Sequence, residues 1–152
     1  MNFEPKRVKQ VGIVVSDLDK AIGHWNALGA GEFLKFFFSS SRGTCGEVFK
    51  NGLPHRIEAS MASADFNGLQ IELIEPLDDK SVYYDFLKES GGGLHHLCFD
   101  TEGIPFDELN EHLKSLYGDP VFNGIGALTQ FAYYDARKEM GTFIEVLTKK
   151  PE

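Results

Sequence analysis

The 152-residue chain is poor in cysteine, with only Cys45 and Cys98. Two thiols cannot build the framework that staples small secreted domains, so a reducing compartment is the default. No apolar run approaches the roughly 20 residues a membrane helix needs, so no membrane partner is predicted. The opening MNFEPKRVKQ has no apolar segment behind its charges. It does not read as a secretory leader, and a cytoplasmic location is expected. Basic residues are in deficit, 15 against 23 acidic ones, for a formal charge of −8. With no dense basic stretch, nucleic acid is not an expected partner. Gly91–Gly93 lacks the spacing of a phosphate loop and a helix directly behind it, so it reads as a linker. What the chain does have is apolar residues (42%), 13 phenylalanines and 16 glycines. That suits one ordinary globular domain with a sizeable core, residues 1–152, rather than disorder.

Along the chain, Gln10 to Val15 is a short branched run that predicts a strand. Ser16 then caps a helix with Leu18, Ala21, Ile22, Trp25 and Leu28 on one face, and Asp19 as a shortened capping-box partner. Glu32 to Phe38 predicts a second strand, and Ser39 to Pro54 a long irregular loop. Arg56 to Ser63 and Leu69 to Pro76 predict a strand pair turning at Asn67-Gly68. Asp79 to Ser90 reads as a connecting helix, and Gly91–Gly93 as the joint. The pattern then restarts. Leu94 to Asp100 predicts a strand and Pro105 to Tyr117 a helix. Three more strands follow at Pro120 to Phe122, Leu128 to Tyr134 and Thr142 to Leu147.

The order strand, helix, strand, strand, strand thus occurs twice, and local identities support an internal repeat. Gly68-Leu-Gln-Ile-Glu72 mirrors Gly141-Thr-Phe-Ile-Glu145, and Gln10-Val-Gly-Ile lines up with His96-Leu-Cys-Phe. The predicted class is α+β: two tandem βαβββ modules, 7–76 and 94–148, joined through 77–93, forming a cupped sheet around a metal-binding cleft. Strand alternation sends Gln10, Gly12 and Val14 to the cleft, and Val11, Ile13 and Val15 under the helix. The same rule sends His96, Cys98 and Asp100 to the cleft and His95 to the opposite face.

Glu72 and Glu145 each interrupt a branched apolar run, where a carboxylate is costly unless paired or bound to metal. Taken singly, each reads equally well as a solvent-facing residue of a two-faced sheet. The repeat places both at equivalent points beside the equivalent pair Gln10 and His96. One amide oxygen, one imidazole and two carboxylates suit a single divalent ion: zinc, nickel, cobalt, manganese or iron.

These residues carry a family resemblance across roughly residues 7–148. The chain resembles the vicinal oxygen chelate superfamily, which includes glyoxalase I, methylmalonyl-CoA epimerase and extradiol dioxygenases. QVGIVVSDLDKAI resembles the opening strand and helix, and FAYYDARKEMGTFIEVL the closing hairpin. GLQIELIEPL followed by GGGLHHLCFD resembles above all the methylmalonyl-CoA epimerase-like branch. The resemblance places the four metal positions on Gln10, Glu72, His96 and Glu145. That branch usually has histidine at the first position. The set of glutamine, glutamate, histidine and glutamate is the one used by glyoxalase I enzymes. Only one histidine falls on a ligand position, which counts against the dioxygenases. The branch often carries another acidic residue before the third strand, where this chain has His55 and Arg56.

The resemblance implies a metal-dependent epimerase or isomerase that removes a proton alpha to a carbonyl through a metal-stabilised enolate. Glu145 is the leading base and Glu72 the opposing one. His55, Arg56 and Cys98 are candidate substrate-binding residues, with a small filler as the competing reading for Cys98. The expected partner is a small molecule such as an acyl-CoA, and the family implies a homodimer. The alternatives are a glyoxalase I-type lactoylglutathione lyase and a metal-free, antibiotic-sequestering binding protein.

Overall fold

The computed structural model describes residues 3–152. Ten strands form one sheet. In chain order they are β1 (Val8–Val14), β2 (Leu34–Ser39), β3 (Val48–Lys50), β4 (Leu53–His55), β5 (Glu58–Phe66), β6 (Leu69–Pro76), β7 (Gly93–Phe99), β8 (Phe122–Ile125), β9 (Thr129–Ala136) and β10 (Thr142–Lys149). The helices are α1 (Leu18–Ala27), α2 (Val82–Ser90), α3 (Phe106–Tyr117) and the single turn α4 (Arg137–Met140). The spatial order is β2-β5-β6-β1-β7-β10-β9-β8-β3-β4. The class is α+β, as the sequence implies. None of these helices is long and apolar enough to cross a membrane.

The two halves meet along an antiparallel seam between β1 and β7, and each seam strand has a parallel neighbour, β6 or β10. Gly12 lies opposite Glu72 in the first half, and Cys98 opposite Glu145 in the second. The duplication in sequence is therefore a duplication of register. The sheet curls strongly. In a flat sheet β2 and β8, seven strand spacings apart, would be separated by roughly 34 Å. Instead the rings of Phe38 and Phe122 lie 6.2 Å apart, and those of Phe38 and Phe131 5.6 Å. The concave side is closed at one end by α2, whose Tyr83 packs into the cluster containing Val14, Ile74 and Phe122.

On the outer side, α1 covers Val11, Ile13 and Val15 through Leu18, Ala21, Ile22 and Trp25, while α3 covers Leu97 and Phe99 through Leu109 and Leu113. The alternation rule holds there. The α1 cap is Asp17 rather than Ser16: its carboxylate accepts from the Lys20 amide at 3.1 Å, so Asp19 has no capping-box role. The Ser39–Pro54 stretch is likewise not one irregular loop. It contains the hairpin β3–β4, turning at Asn51-Gly52, both with positive φ (51° and 79°). That turn suits a two-residue hairpin, and asparagine and glycine tolerate it best. The hairpin belongs to the first half by sequence, yet it extends the second half's sheet by pairing β3 with β8.

Candidate metal and substrate site

Gln10 on β1, Glu72 on β6, His96 on β7 and Glu145 on β10 converge at the centre of the concave face. His96 Nε2 lies 3.1 Å from Gln10 Oε1, 3.1 Å from Glu145 Oε2 and 3.8 Å from Glu72 Oε1. Gln10 Nε2 lies 3.4 Å from Glu72 Oε2. The side chains of Glu72 and Glu145 are only 13% and 7% exposed. Such burial raises the Glu72 pKa to about 7; the nearby His96 opposes this and Glu145 adds to it. Burial alone would depress His96, but the Glu145 and Glu72 carboxylates outweigh it and raise its pKa.

The space His96 occupies exists because residue 12 is glycine. A Cβ at Gly12 would meet His96 Cε1 and both ring nitrogens well below contact distance. His96 is further fixed by His95, whose Nδ1 lies 2.9 Å from His96 Nδ1. Alternation fails here. The β1–β7 register slips between Gly12/His96 and Ile13/Leu94, leaving His95 as an extra bulge residue. The bulge brings His95 beside His96 instead of sending it to the opposite face. There it stacks on Phe143 and contacts Tyr83 and Phe86. Burial drives the His95 pKa well below its usual value, so the ring is neutral. In the state that leaves His96 Nε2 free to ligate, His96 Nδ1 would donate to His95 Nδ1, so the outer imidazole can fix the tautomer of the inner one.

Gln10 is oriented too. Its amide nitrogen donates to Gln70 Oε1 at 2.6 Å, which turns Oε1 towards His96. One N–H at His96 Nε2 faces two acceptors and is aimed at Gln10. Glu145 Oε2 is left buried without a hydrogen-bond partner. An orphaned carboxylate oxygen beside a second buried carboxylate is a site short of positive charge. Among the described residues no three His, Cys, Asp or Glu side chains form a preformed metal cage, since the donors hydrogen-bond one another. In kind and convergence, one amide oxygen, one imidazole nitrogen and two carboxylates fit a divalent ion of intermediate hardness.

Gln10, Glu72 and Glu145 stand at the base of a cavity of ≈ 510 Å³, of the size that holds a small ligand, with the fully buried His96 behind them. Phenylalanines of β2 and β9, Met61 and Leu147 wall it, and Leu128 stands at its open side. Tyr83 and Tyr133 also line it, with their hydroxyls 2.7 Å apart. Burial raises both phenol pKa values well above the usual range, so both remain protonated. The sequence reading does not single out these tyrosines or Gln70. A signal existed for Tyr133, which lies directly opposite Glu145 in the β9–β10 pair and shares its face.

The three candidate substrate residues are not brought here. His55 ends β4 at the sheet edge, packs edge-on against Phe122 and does not line the cavity. Arg56 follows it outside the lining as well. Cys98 faces the concave side but is fully buried beneath the seam, and burial pushes its thiol pKa well up. Its register neighbours are Gln10 and Glu145, so it is packing behind the site rather than a surface within it.

A family model described as Glyoxalase/Bleomycin resistance protein/Dioxygenase superfamily matches residues 9–117. The chain is 37% identical over 60 residues to the mitochondrial methylmalonyl-CoA epimerase of Dictyostelium discoideum; the match covers 37% of this chain and 33% of that protein. It therefore spans about a third of the length of that relative. A hypothetical protein from Bacillus halodurans superposes with a TM-score of 0.66 at 20% identity, covering 96% of each chain. A methylmalonyl-CoA epimerase variant of Streptomyces coelicolor, in complex with 2-nitronate-propionyl-CoA, superposes at 0.63 with 20% identity, covering 97% of this chain and 100% of that one. The Mycobacterium tuberculosis methylmalonyl-CoA epimerase gives 0.62 at 20% identity, covering 99% and 94%. At these identities the structural likeness is one of fold.

Proposed function

The chain belongs to the Glyoxalase/Bleomycin resistance protein/Dioxygenase superfamily, and from that premise we propose that it is a metal-dependent epimerase or isomerase. It would move a proton on the carbon next to a carbonyl, in the manner of methylmalonyl-CoA epimerase, on a 2-substituted acyl thioester. One observation carries this reading. Glu72 and Glu145, from equivalent positions of the two halves, close on one point with Gln10 at the base of a ligand-sized cavity, around the buried His96.

A divalent ion of zinc, nickel, cobalt, manganese or iron, held by Gln10, Glu72, His96 and Glu145, would supply a Lewis acid that stabilises negative charge developing on the carbonyl oxygen. The chain's own groups handle the proton. Glu145, with an unpartnered oxygen, is the leading base. Glu72, at the equivalent position of the other half, is the opposing base. Gln70 keeps the Gln10 oxygen turned inward, and His95 holds the His96 ring. The ring-lined wall keeps water from the reacting carbon.

The test is α-proton exchange in D2O, followed by NMR with methylmalonyl-CoA and other 2-substituted acyl-CoAs after loading with Co²⁺ or Zn²⁺. Glu145→Gln is expected to slow exchange by at least about 10²-fold; undiminished exchange removes Glu145 as the base. Gln10 favours one second reading, the glyoxalase-type lyase, because the donor set matches that chemistry. Turnover of the methylglyoxal–glutathione hemithioacetal, with no exchange of any acyl thioester, would select it. Protein purified without chelator should carry about one divalent ion per chain. Ligand binding indifferent to metal would favour a binding protein instead.

A further inference from the structure

The cavity walls bear on which acyl group fits. Away from Glu72 and Glu145 the lining is neutral: Phe36, Phe38, Met61, Leu128, Phe131 and Leu147, with a few hydroxyls and the Gln70 amide between them. No lysine or arginine is among the lining residues. Arg42, the cation near the β2 rings, stands 3.8 Å over the ring of Phe37, itself a lining residue, but is not part of the lining.

The charge of the donor set points the same way. Gln10 and His96 are neutral as ligands, and Glu72 and Glu145 together carry −2, so a divalent ion only cancels them. A carboxylate or phosphate brought beside that centre meets neither net positive charge nor a cationic side chain. Its dehydration is then uncompensated. An alkyl or aryl group at the same place gains from contact with the aromatic wall.

Tyr83 and Tyr133 supply the polar contact such a ligand needs. Two hydroxyls own two protons, and one lies in the bond between them. Among the described residues neither hydroxyl has a further acceptor, so one proton is free to reach into the cavity. We propose that the cavity takes an uncharged carbonyl compound, an acyl group whose α-substituents are alkyl or aryl, with one ligand oxygen accepting the free proton of the Tyr83–Tyr133 pair. The proposal rests on reading the four-donor site as one that works beside a carbonyl. It narrows that reading to acyl groups without an α-carboxylate.

The experiment is calorimetric titration of the whole chain, as purified and again after Co²⁺ loading, with three N-acetylcysteamine thioesters. These are the isobutyryl, 2-phenylpropanoyl and methylmalonyl compounds; the first and third differ only in methyl against carboxylate. Both neutral thioesters should bind at least about tenfold more tightly than methylmalonyl in both preparations. Equal or tighter binding of methylmalonyl overturns the proposal, as does no binding of any of the three. In the Tyr83→Phe/Tyr133→Phe double variant, 2-phenylpropanoyl thioester should bind about tenfold more weakly. Isopropylbenzene, which has the body without the oxygen, should bind as before. Equal losses for both probes, or none, remove the tyrosine pair from the proposal. Failure here is separable from failure of the epimerase reading. The binding order without α-proton exchange sinks that reading alone, and exchange confined to methylmalonyl sinks this proposal alone.

Discussion

Gly12 and His96 face each other across the seam between the two halves, and the imidazole fills the volume where a side chain at position 12 would begin. The nearest metal-type nitrogen of the site is thus placed by the absence of an atom on the neighbouring strand. Gly12→Ala forces the ring or the strand to move. A cost of about 1–3 kcal/mol in urea unfolding is expected, together with weaker Co²⁺ binding in a competition titration. Unchanged values of both would show that His96 has room elsewhere.

Gln70 acts on the site through Gln10. Gln70→Leu removes the acceptor that holds the Gln10 amide in its observed sense. Metal affinity should fall about 10-fold or more, in the range seen when outer-shell partners are lost. Gln70→Glu keeps an acceptor in place and should largely restore it. A fold-neutral leucine variant with native metal affinity would dismiss the orienting role.

Glu58 ties the end of β2 to the following turn. It accepts from the Ser39 hydroxyl and from the Ser41 amide, the latter at 2.8 Å. The Ser39 bond above all holds its pKa below the usual carboxylate value of 4.5. A depressed folded-state pKa contributes stability that is full above about pH 4.5 and lost as pH falls through the folded value. The melting temperature of Glu58→Gln should therefore vary less than the parent's between about pH 5 and pH 3. The difference is small and salt-sensitive because the group lies near the surface. Parallel curves would rule the contribution out.

Cys98 is packing, not chemistry. Cys98→Ala should lower stability by about 1 kcal/mol and leave α-proton exchange within about twofold of the parent. In the native protein the thiol should resist a disulfide reagent until unfolding, as its complete burial implies. Rapid labelling under native conditions would contradict this.

The four convergent donors were legible because they obey two simple periodicities: strand alternation within each half, and the repeat between halves. The misses have local causes. His95 breaks alternation because a bulge adds one residue to β7, and bulges leave little trace in a single sequence. The β3–β4 hairpin is hard to see in the sequence although Asn51-Gly52 is a strong turn signal, because its strands are only three residues each and its partner β8 is remote in sequence. Likeness of position puts His55 and Arg56 near the cleft, but β4 carries that stretch to the sheet's far edge. Tyr83 comes from the connecting helix, whose docking onto the concave face is a tertiary event that no periodicity within α2 encodes.

That same hairpin has a temporal meaning. Val48–Lys50 finds its second partner only at Phe122–Gly124, more than seventy residues later. As the chain is made from its N-terminus, β3 and β4 can pair with each other, but their hairpin has no sheet to join until β8 emerges. Loop closure over such a span is slow compared with local pairing. The cup cannot close before the second half is in place, because its wall joins Phe38 of the first half to Phe122 and Phe131 of the second.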